Sequence, residues 1–369
     1  MKFHWYWPFA RSEELDWAKG TVRPGEQIIV QVIDRGEAPA GGTSDGVTVL
    51  RDQPDVNRTV SPALWAFSRA ATYRSRATAR RRLWRSEKFD LVHLHYVNRF
   101  TDAFVSLPHP LVMSVHDVTP HVLRLGARLE HQLLAKLYQR PDALVVHHAR
   151  LADRLRNDFG IPGTRIHVIP HQVFPIGEPL SPRPDGPPHV LFFGTLRPNK
   201  GLEVLDEAMK LLEGHDLRLT IAGRGDERLE HLATQMGARD PRIYAELGFA
   251  TLERKRELFR SAHIAVLPYT SFESQSGVLH DAYGHGRPVV VTDVGALGAT
   301  VREEGTGVVV PPDDPPALAA AIVRLLDPAQ WEPASAACQR IAEERSPHAI
   351  GMKLRDVYDG LLAPGVGRG

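Results

Sequence analysis

Five short apolar runs in the second half of the chain limit its fold more than any other feature: HVLFFGTL, LRLTIAG, RIYAELG, HIAVLPY and PVVVTD. Each is a nearly continuous apolar stretch, and amphipathic sequence of helical length follows it. A strand that is apolar on both faces must be covered on both faces, which is the situation in parallel βαβ units. The first half carries a less regular set, EQIIVQVID, FDLVHLHY, PLVMSVHD, DALVVHH and RIHVIP. Between the halves lies FPIGEPLSPRPDGPPHV, Phe174 to Val190, where prolines fix φ and remove donors, so neither a helix nor a central strand can cross it. The predicted fold is therefore α/β, with two Rossmann-like, doubly wound parallel-sheet domains facing each other across a cleft. Residues 1–174 form the first domain, 175–188 the linker and 189–345 the second domain. Residues 346–369 form a C-terminal helix that packs back on the first. In such sheets ligands bind beyond the carboxyl ends of the strands.

A chain of 369 residues suits two cores rather than one. No apolar run is long enough to span a bilayer, and MKFHWYWPFARSEELDW lacks the apolar segment of a secretory signal. Cys338 is the sole cysteine, which excludes a disulfide framework and a cysteine zinc cluster. These features point to a reducing cytosol. The net charge of +1 gives no reason to expect a nucleic-acid partner for the chain as a whole.

Two stretches carry the chemistry. In SFESQSGVLHDAYGHGRPVVVTDVG, a strand ends near Tyr269 and a helix starts near Ser276, so Glu273 falls in the strand-to-helix loop. The N–H groups of Ser276, Gly277 and Val278 would be the open donors of the first turn, a natural anion site. Asp281 follows about one turn later. A nucleotide sugar has the matching order of groups, with sugar hydroxyls at Glu273, phosphate at the helix start and a ribose diol at Asp281. The competing reading makes both acids ordinary residues of a helix start, favoured by the macrodipole. In FFGTLRPNKG, a strand ends at Gly194, where the missing Cβ admits a ligand to the backbone. Arg197 and Lys200 follow, a fork and a point charge suited to a diphosphate leaving group. The competing reading there is a solvated turn.

Together these stretches make the second half resemble the family-4 retaining glycosyltransferases of the GT-B type, the glycosyltransferase group 1. That family carries a Glu, seven residues and a second Glu before a Gly-x-Pro-Val strand; here the acids are Glu273 and Asp281, followed by GRPVVVTDVG. Its glycine strand end and basic Lys-Gly loop match Gly194, Arg197, Lys200 and Gly201. TIAGRGDE, AELGFATLERKRELFRSAHIAVLPY and GVVVPPDDPPALAAAI fit its intervening segments. The resemblance implies that Glu273 contacts the donor sugar, Asp281 the ribose, and Arg197 and Lys200 the diphosphate. Gly248 and Phe249 would line the base. Gly194, Thr195, Gly223, Ser276, Gly277, Val278 and Leu279 would complete the donor site. Asp281 is a methylene shorter than the usual Glu, and Thr195 stands where many members have Arg.

The first half resembles the family less closely. His116 ends the strand VMSVHD, where members place a histidine beside the donor sugar, and it joins Arg197, Lys200 and Glu273 as a catalytic candidate. His93 and His95 share one strand face, but with no third ligand evident they read as structural. WPFARSEE replaces the family's glycine pair, leaving Ala10, Arg11 and Ser12 to line that loop. The resemblance implies same-face displacement without metal or cofactor, the nucleoside diphosphate sugar being a substrate. PPDDPP reads as a helix cap, not a metal pair. The acceptor, whether small molecule, glycan or lipid-linked, is unspecified. Seven arginines and no acid lie between Arg69 and Arg85. They read as a solvated basic helix, as a surface for a membrane or an anionic acceptor, or, with no recognition motif to accompany the charge, as a nucleic-acid contact. Two other functions compete with glycosyl transfer: a nucleotide-sugar epimerase or hydrolase of similar fold, and a non-catalytic nucleotide- or nucleic-acid-binding protein.

Overall fold

The computed structural model describes residues 1–10, 14–34, 39–53, 62–119, 126–173, 182–272 and 276–363, without the side chains of 62–67. Two compact units result. One is Met1–Pro170 with Pro347–Gly369, the other His171–Ser346. Residues 174–181 of the proline-rich segment lie outside the described residues.

Unit 1 contains, in chain order, β1 (Lys2–Tyr6), α1 (Leu15–Thr21), β2 (Gln27–Ile33), β3 (Gly42–Ser44), β4 (Val47–Gln53), α2 (Pro62–Ser86), β5 (Leu91–Leu94), β6 (Leu111–Val115), α3 (Ala127–Tyr138), β7 (Ala143–Val146), α4 (Ala149–Phe159) and β8 (Ile166–Val168). The sheet order is β3-β4-β2-β1-β5-β6-β7-β8. β1 pairs in parallel with both β2 and β5, so the order reverses there and leaves a crevice at the strand ends. The sheet is not parallel throughout. β3 pairs antiparallel with β4 through a turn in which Asp45 and Gly46 have φ of 50° and 77°. Two successive left-handed residues match the twist of a tight hairpin, and the Asp-Gly pair is its sequence signal.

Unit 2 runs β9 (His189–Phe193), α5 (Leu202–Leu211), β10 (Arg218–Gly223), α6 (Glu227–Arg239), β11 (Ile243–Leu247), α7 (Leu252–Ser261), β12 (Ile264–Leu267), α8 (Gly277–Gly284), β13 (Val289–Thr292), α9 (Leu297–Glu304), β14 (Gly307–Val310), α10 (Pro315–Leu326) and α11 (Pro328–Glu344). Its six strands are parallel, in the order β11-β10-β9-β12-β13-β14. That is the dinucleotide-fold order, with the reversal between β9 and β12. The continuous apolar runs are explained by the two cores they serve. Val190, Phe192, Ile264, Val266 and Val290 enter one cluster, while Leu191, Ala265, Leu267, Val289 and Val291 enter the other. Each of these side chains except Ala265 contributes about 1.5–3 kcal/mol by leaving water. Asp314 caps α10 through the N–H of Ala317, so PPDDPP is a helix start.

α12 (Pro347–Leu362) belongs to unit 1 and packs against α1. Small residues permit a close crossing: a Cβ on Gly20 would fall 2.7 Å from the Cα of His348, and one on Gly351 2.5 Å from the carbonyl carbon of Gly20. Arg355 is fully buried and bonds to Glu26 and Asp359.

The basic helix α2 is not a uniformly solvated one. Arg76 and Arg80 are buried with Ala77 on one face, whereas Arg74, Arg82 and Arg85 are exposed. Arg80 pairs with the fully buried Asp102, and its guanidinium lies 4.1 Å from the centre of the Tyr6 ring. Asp102 also accepts from the N–H of Asn98 at 2.9 Å, so this arginine anchors the loop after β5. Among the described residues, no helix is long and apolar enough to cross a membrane.

Candidate active site

In unit 2 the reversal point is built from glycines because backbones meet there. β9 ends at Gly194, whose φ is 118° and whose N–H bonds to Ala222 at 2.9 Å. A Cβ on Gly194 would stand 3.3 Å from Val278, so the first turn of α8 lies against this strand end. At Gly223, φ 151°, a Cβ would meet the Gly194 carbonyl oxygen at 1.8 Å. Leu196 and Gly225 form a bridge beyond the strands, which keeps the loops after β9 and β10 side by side.

The basic turn is clamped to the loop after β12. The Asn199 side chain donates to the Ser271 carbonyl at 3.0 Å, and the Thr270 N–H donates to the Asn199 carbonyl at 3.1 Å. Gly201 has φ 69°, and a Cβ there would lie 1.8 Å from the Pro268 carbonyl oxygen. Lys200 is thereby drawn over an aromatic floor, its Nζ 3.6 Å from the Tyr269 ring centre and 4.7 Å from that of Phe272. Burial, and then the neighbouring Arg197, push its pKa down to about 7. Arg197 and Thr195 are exposed. Among the described residues no carboxylate pairs with Arg197 or Lys200. Two cations with no described counter-charge, one of them desolvated, are an arrangement that an anion would satisfy.

α8 adds backbone donors. Ser276 is its N-cap residue, but the hydroxyl bonds to the Tyr269 hydroxyl at 2.8 Å and does not cap the helix. The N–H groups of Gly277 and Val278 have no acceptor among the described residues, and the space where a Gly277 side chain would stand is open. Leu279 departs from the expected donor contact. Its side chain is wholly buried in the core and its N–H bonds to the Ser276 carbonyl. Asp281 has a partner that the sequence did not reveal: Lys255 Nζ lies 3.0 Å from its Oδ1. Glu273 lies outside the described residues.

On the β11 side, Gly248, φ 148°, donates its N–H to the Gly223 carbonyl at 3.0 Å. Phe249 is 76% exposed, and the Arg224 guanidinium lies 4.6 Å from its ring centre. Arg224, Lys255 and Tyr269 were thus missed by sequence reasoning. Each lies in a quoted segment, TIAGRGDE or AELGFATLERKRELFRSAHIAVLPY, so position relative to a strand end was the available signal for Arg224 and Tyr269.

In unit 1, His116 follows β6, half-buried, with Nε2 2.9 Å from the His95 carbonyl oxygen and its ring stacked on Tyr96 at 4.7 Å. Burial lowers its pKa. His93 is a core residue with both ring nitrogens bonded, to the Tyr358 hydroxyl at 2.6 Å and to Ser114 at 2.9 Å. His95 stacks on His93 at 3.9 Å and on Trp7 at 4.7 Å. Ala10 is buried, whereas Arg11 and Ser12 lie outside the described residues.

Residues 187–328 match the family model "Glycosyl transferases group 1", and residues 18–173 match that of "Glycosyltransferase Family 4". The chain belongs to the group 1 glycosyltransferases. Like other members of this group it is an enzyme of glycosyl transfer with the GT-B fold. An uncharacterised glycosyltransferase of Methanocaldococcus jannaschii is 28% identical over 337 residues, covering 84% of this chain and 83% of that protein. Sucrose-phosphate synthase from Thermosynechococcus elongatus superposes with a TM-score of 0.75 at 18% identity, over 98% of this glycosyltransferase and 99% of that chain. The Anabaena protein HepE, solved in complex with UDP and glucose, does so with a TM-score of 0.69 at 17% identity, over 98% and 100%.

Proposed function

We propose that this glycosyltransferase takes a nucleoside diphosphate sugar as donor and transfers the sugar with retention of configuration, without a metal ion. The observation that carries the donor class is the pair of cations, Arg197 and Lys200, with no described counter-charge beside the open N–H groups of Gly277 and Val278. A diphosphate supplies the missing negative charge. The resemblance to the retaining family and the UDP complex of HepE support the same reading.

In this scheme the acceptor hydroxyl attacks on the face from which the diphosphate departs. As the bond from the anomeric carbon to the diphosphate breaks, its electron pair leaves with the phosphate and negative charge grows there, and a phosphate oxygen takes the hydroxyl proton as the new bond forms. Arg197, Lys200 and the start of α8 stabilise that charge, which is the largest contribution in such chemistry. Their positive charge does the work a divalent ion would otherwise do. Glu273 orients the sugar, Asp281 the ribose and Phe249 the base. The resemblance to the family supports His116 as a further contact for the sugar. The exposed arginines of α2, Arg74, Arg82 and Arg85, offer a contact for an anionic acceptor or a membrane surface.

The test is thermal melting against nucleoside diphosphates, then turnover of the matching sugar nucleotides with and without EDTA. A diphosphate at a hundred times its Kd should stabilise the fold by about 2.7 kcal/mol. Turnover should survive EDTA, and NMR of the product should show the donor's anomeric configuration. If no nucleotide stabilises the fold, the donor class is wrong. If EDTA abolishes transfer, the assignment of charge to the two cations is wrong.

A further inference from the structure

We propose that Lys255 is a donor-positioning residue, which fixes the Asp281 carboxylate so that its second oxygen meets the ribose diol. This rests on the reading of Asp281 as the ribose contact. Lys255 lies at the end of the first turn of α7, which starts after the Phe249 loop with Thr251 capping through the N–H of Arg254. Asp281 lies in α8, which starts beside the two cations. The pair therefore joins the element that follows the base side to the element that follows the phosphate side, and a ribose stands between base and phosphate in any nucleotide.

The two partners are buried unequally. The Lys255 side chain is 9% exposed and that of Asp281 21%. Lys255 Nζ reaches Oδ1 at 3.0 Å. Among the described residues the other carboxylate oxygen, Oδ2, takes no hydrogen bond. A carboxylate held by one oxygen and open at the other is a fixed acceptor. Burying a lysine stem and ammonium costs desolvation and rotamer freedom, and an apolar residue at this place would spare that cost. What the lysine adds is a single orientation for Asp281. The short side chain needs it, since an aspartate has less reach to correct its position than a glutamate.

The test compares the Kd of ribonucleoside diphosphates with that of their 2′-deoxy counterparts, by calorimetry, in the wild type and in Lys255→Met, Lys255→Arg and Asp281→Asn. The wild type should prefer the ribose form about tenfold or more, the size of one good hydrogen bond to a charged group. Lys255→Met should lose most of that preference, to within about threefold, and Lys255→Arg should restore part of it. With saturating donor, Lys255→Met should keep its kcat while its KM rises, the mark of lost binding shared by ground and transition states. Should Lys255→Met not fold, Lys255→Gln, which keeps a donor without the charge, is read in its place.

A Lys255 variant that folds and keeps the full preference, while Asp281→Asn loses it, overturns the positioning role and leaves the ribose reading intact. Preference retained in Asp281→Asn as well overturns the ribose reading itself.

Discussion

Each unit sets a cation against an aromatic ring beside its sheet, and the two are treated in opposite ways. In unit 1, Arg80 lies over Tyr6 and is paired with Asp102, both partners being buried. In unit 2, Lys200 lies over Tyr269 with no described carboxylate, beside a second cation, Arg197. The sheets are alike, each reversing its strand order beside the first strand, so topology does not set the two apart. A charge whose partner is built in holds structure together. A charge left desolvated without one is held ready for a ligand.

The largest effect should come from breaking the satisfied pair. Arg80→Gln leaves the Asp102 carboxylate buried and uncompensated, and should cost about 3–5 kcal/mol in urea unfolding. Arg82→Gln, on the exposed face of the same helix, should stay within about 0.5 kcal/mol. Equal effects would mean that α2 is a surface helix after all, as its composition suggests.

Lys200→Met should show the converse. Removing a desolvated charge that has no described counter-charge should leave the fold as stable as before or more so. The kcat/KM for the donor should nevertheless fall by about 10²–10³, the cost of losing one stabiliser of transition-state charge. If the variant instead loses stability as Arg80→Gln does, then Lys200 is structural and the contrast between the units fails.

Sequence alone shows one side of this contrast better than the other. Strands apolar on both faces are legible because each residue must enter one of two cores, as Leu191 and Phe192 do. The glycines at 201 and 223 are legible because a passing backbone leaves no room for a Cβ, and Gly194 because its φ is positive. The hairpin of β3 and β4 carries an Asp-Gly signal, but its first strand is too short and too exposed to stand out as an apolar run. Partners distant in the chain are another matter. Arg80 and Asp102 stand 22 residues apart, Lys255 and Asp281 26, and nothing in local pattern or propensity couples them. A run of arginines therefore gives no sign of which of them turn inward.

pH should separate the units by up to about tenfold per unit. Burial and the neighbouring Arg197 hold the Lys200 pKa down to about 7, and a bound diphosphate would raise it. Binding near neutrality therefore takes up a proton, and affinity should fall as pH rises above 7 until the raised pKa is passed. Calorimetry in buffers of different ionisation enthalpy reads that uptake directly. In unit 1, burial holds His93 and His95 well below their ordinary value of 6.5. Their folded pKa values are depressed, so the unfolded chain binds protons first. Their contribution to stability is full above about 6.5 and declines as pH falls below it. Donor affinity that is flat from pH 7 to 9 would remove Lys200 from the anion site.

The smallest effect concerns a third cation on a ring. Arg224 lies over Phe249 as Arg80 lies over Tyr6, but this ring is 76% exposed and the pair stands in water. An exposed cation–π contact is worth only about 0.5–1 kcal/mol, and it costs little to open. A base that stacks on Phe249 would gain about as much as other offset ring pairs, 0.5–1.5 kcal/mol beyond its buried area. Phe249→Ala should accordingly leave the melting temperature unchanged and weaken each nucleoside diphosphate by about two- to tenfold. Inorganic pyrophosphate offers the same charge without a base. Its inhibition constant should be untouched by Phe249→Ala and raised by Lys200→Met. If Phe249→Ala weakens pyrophosphate as much as nucleotide, the ring serves the charged end of the site, and the base must be sought elsewhere in unit 2.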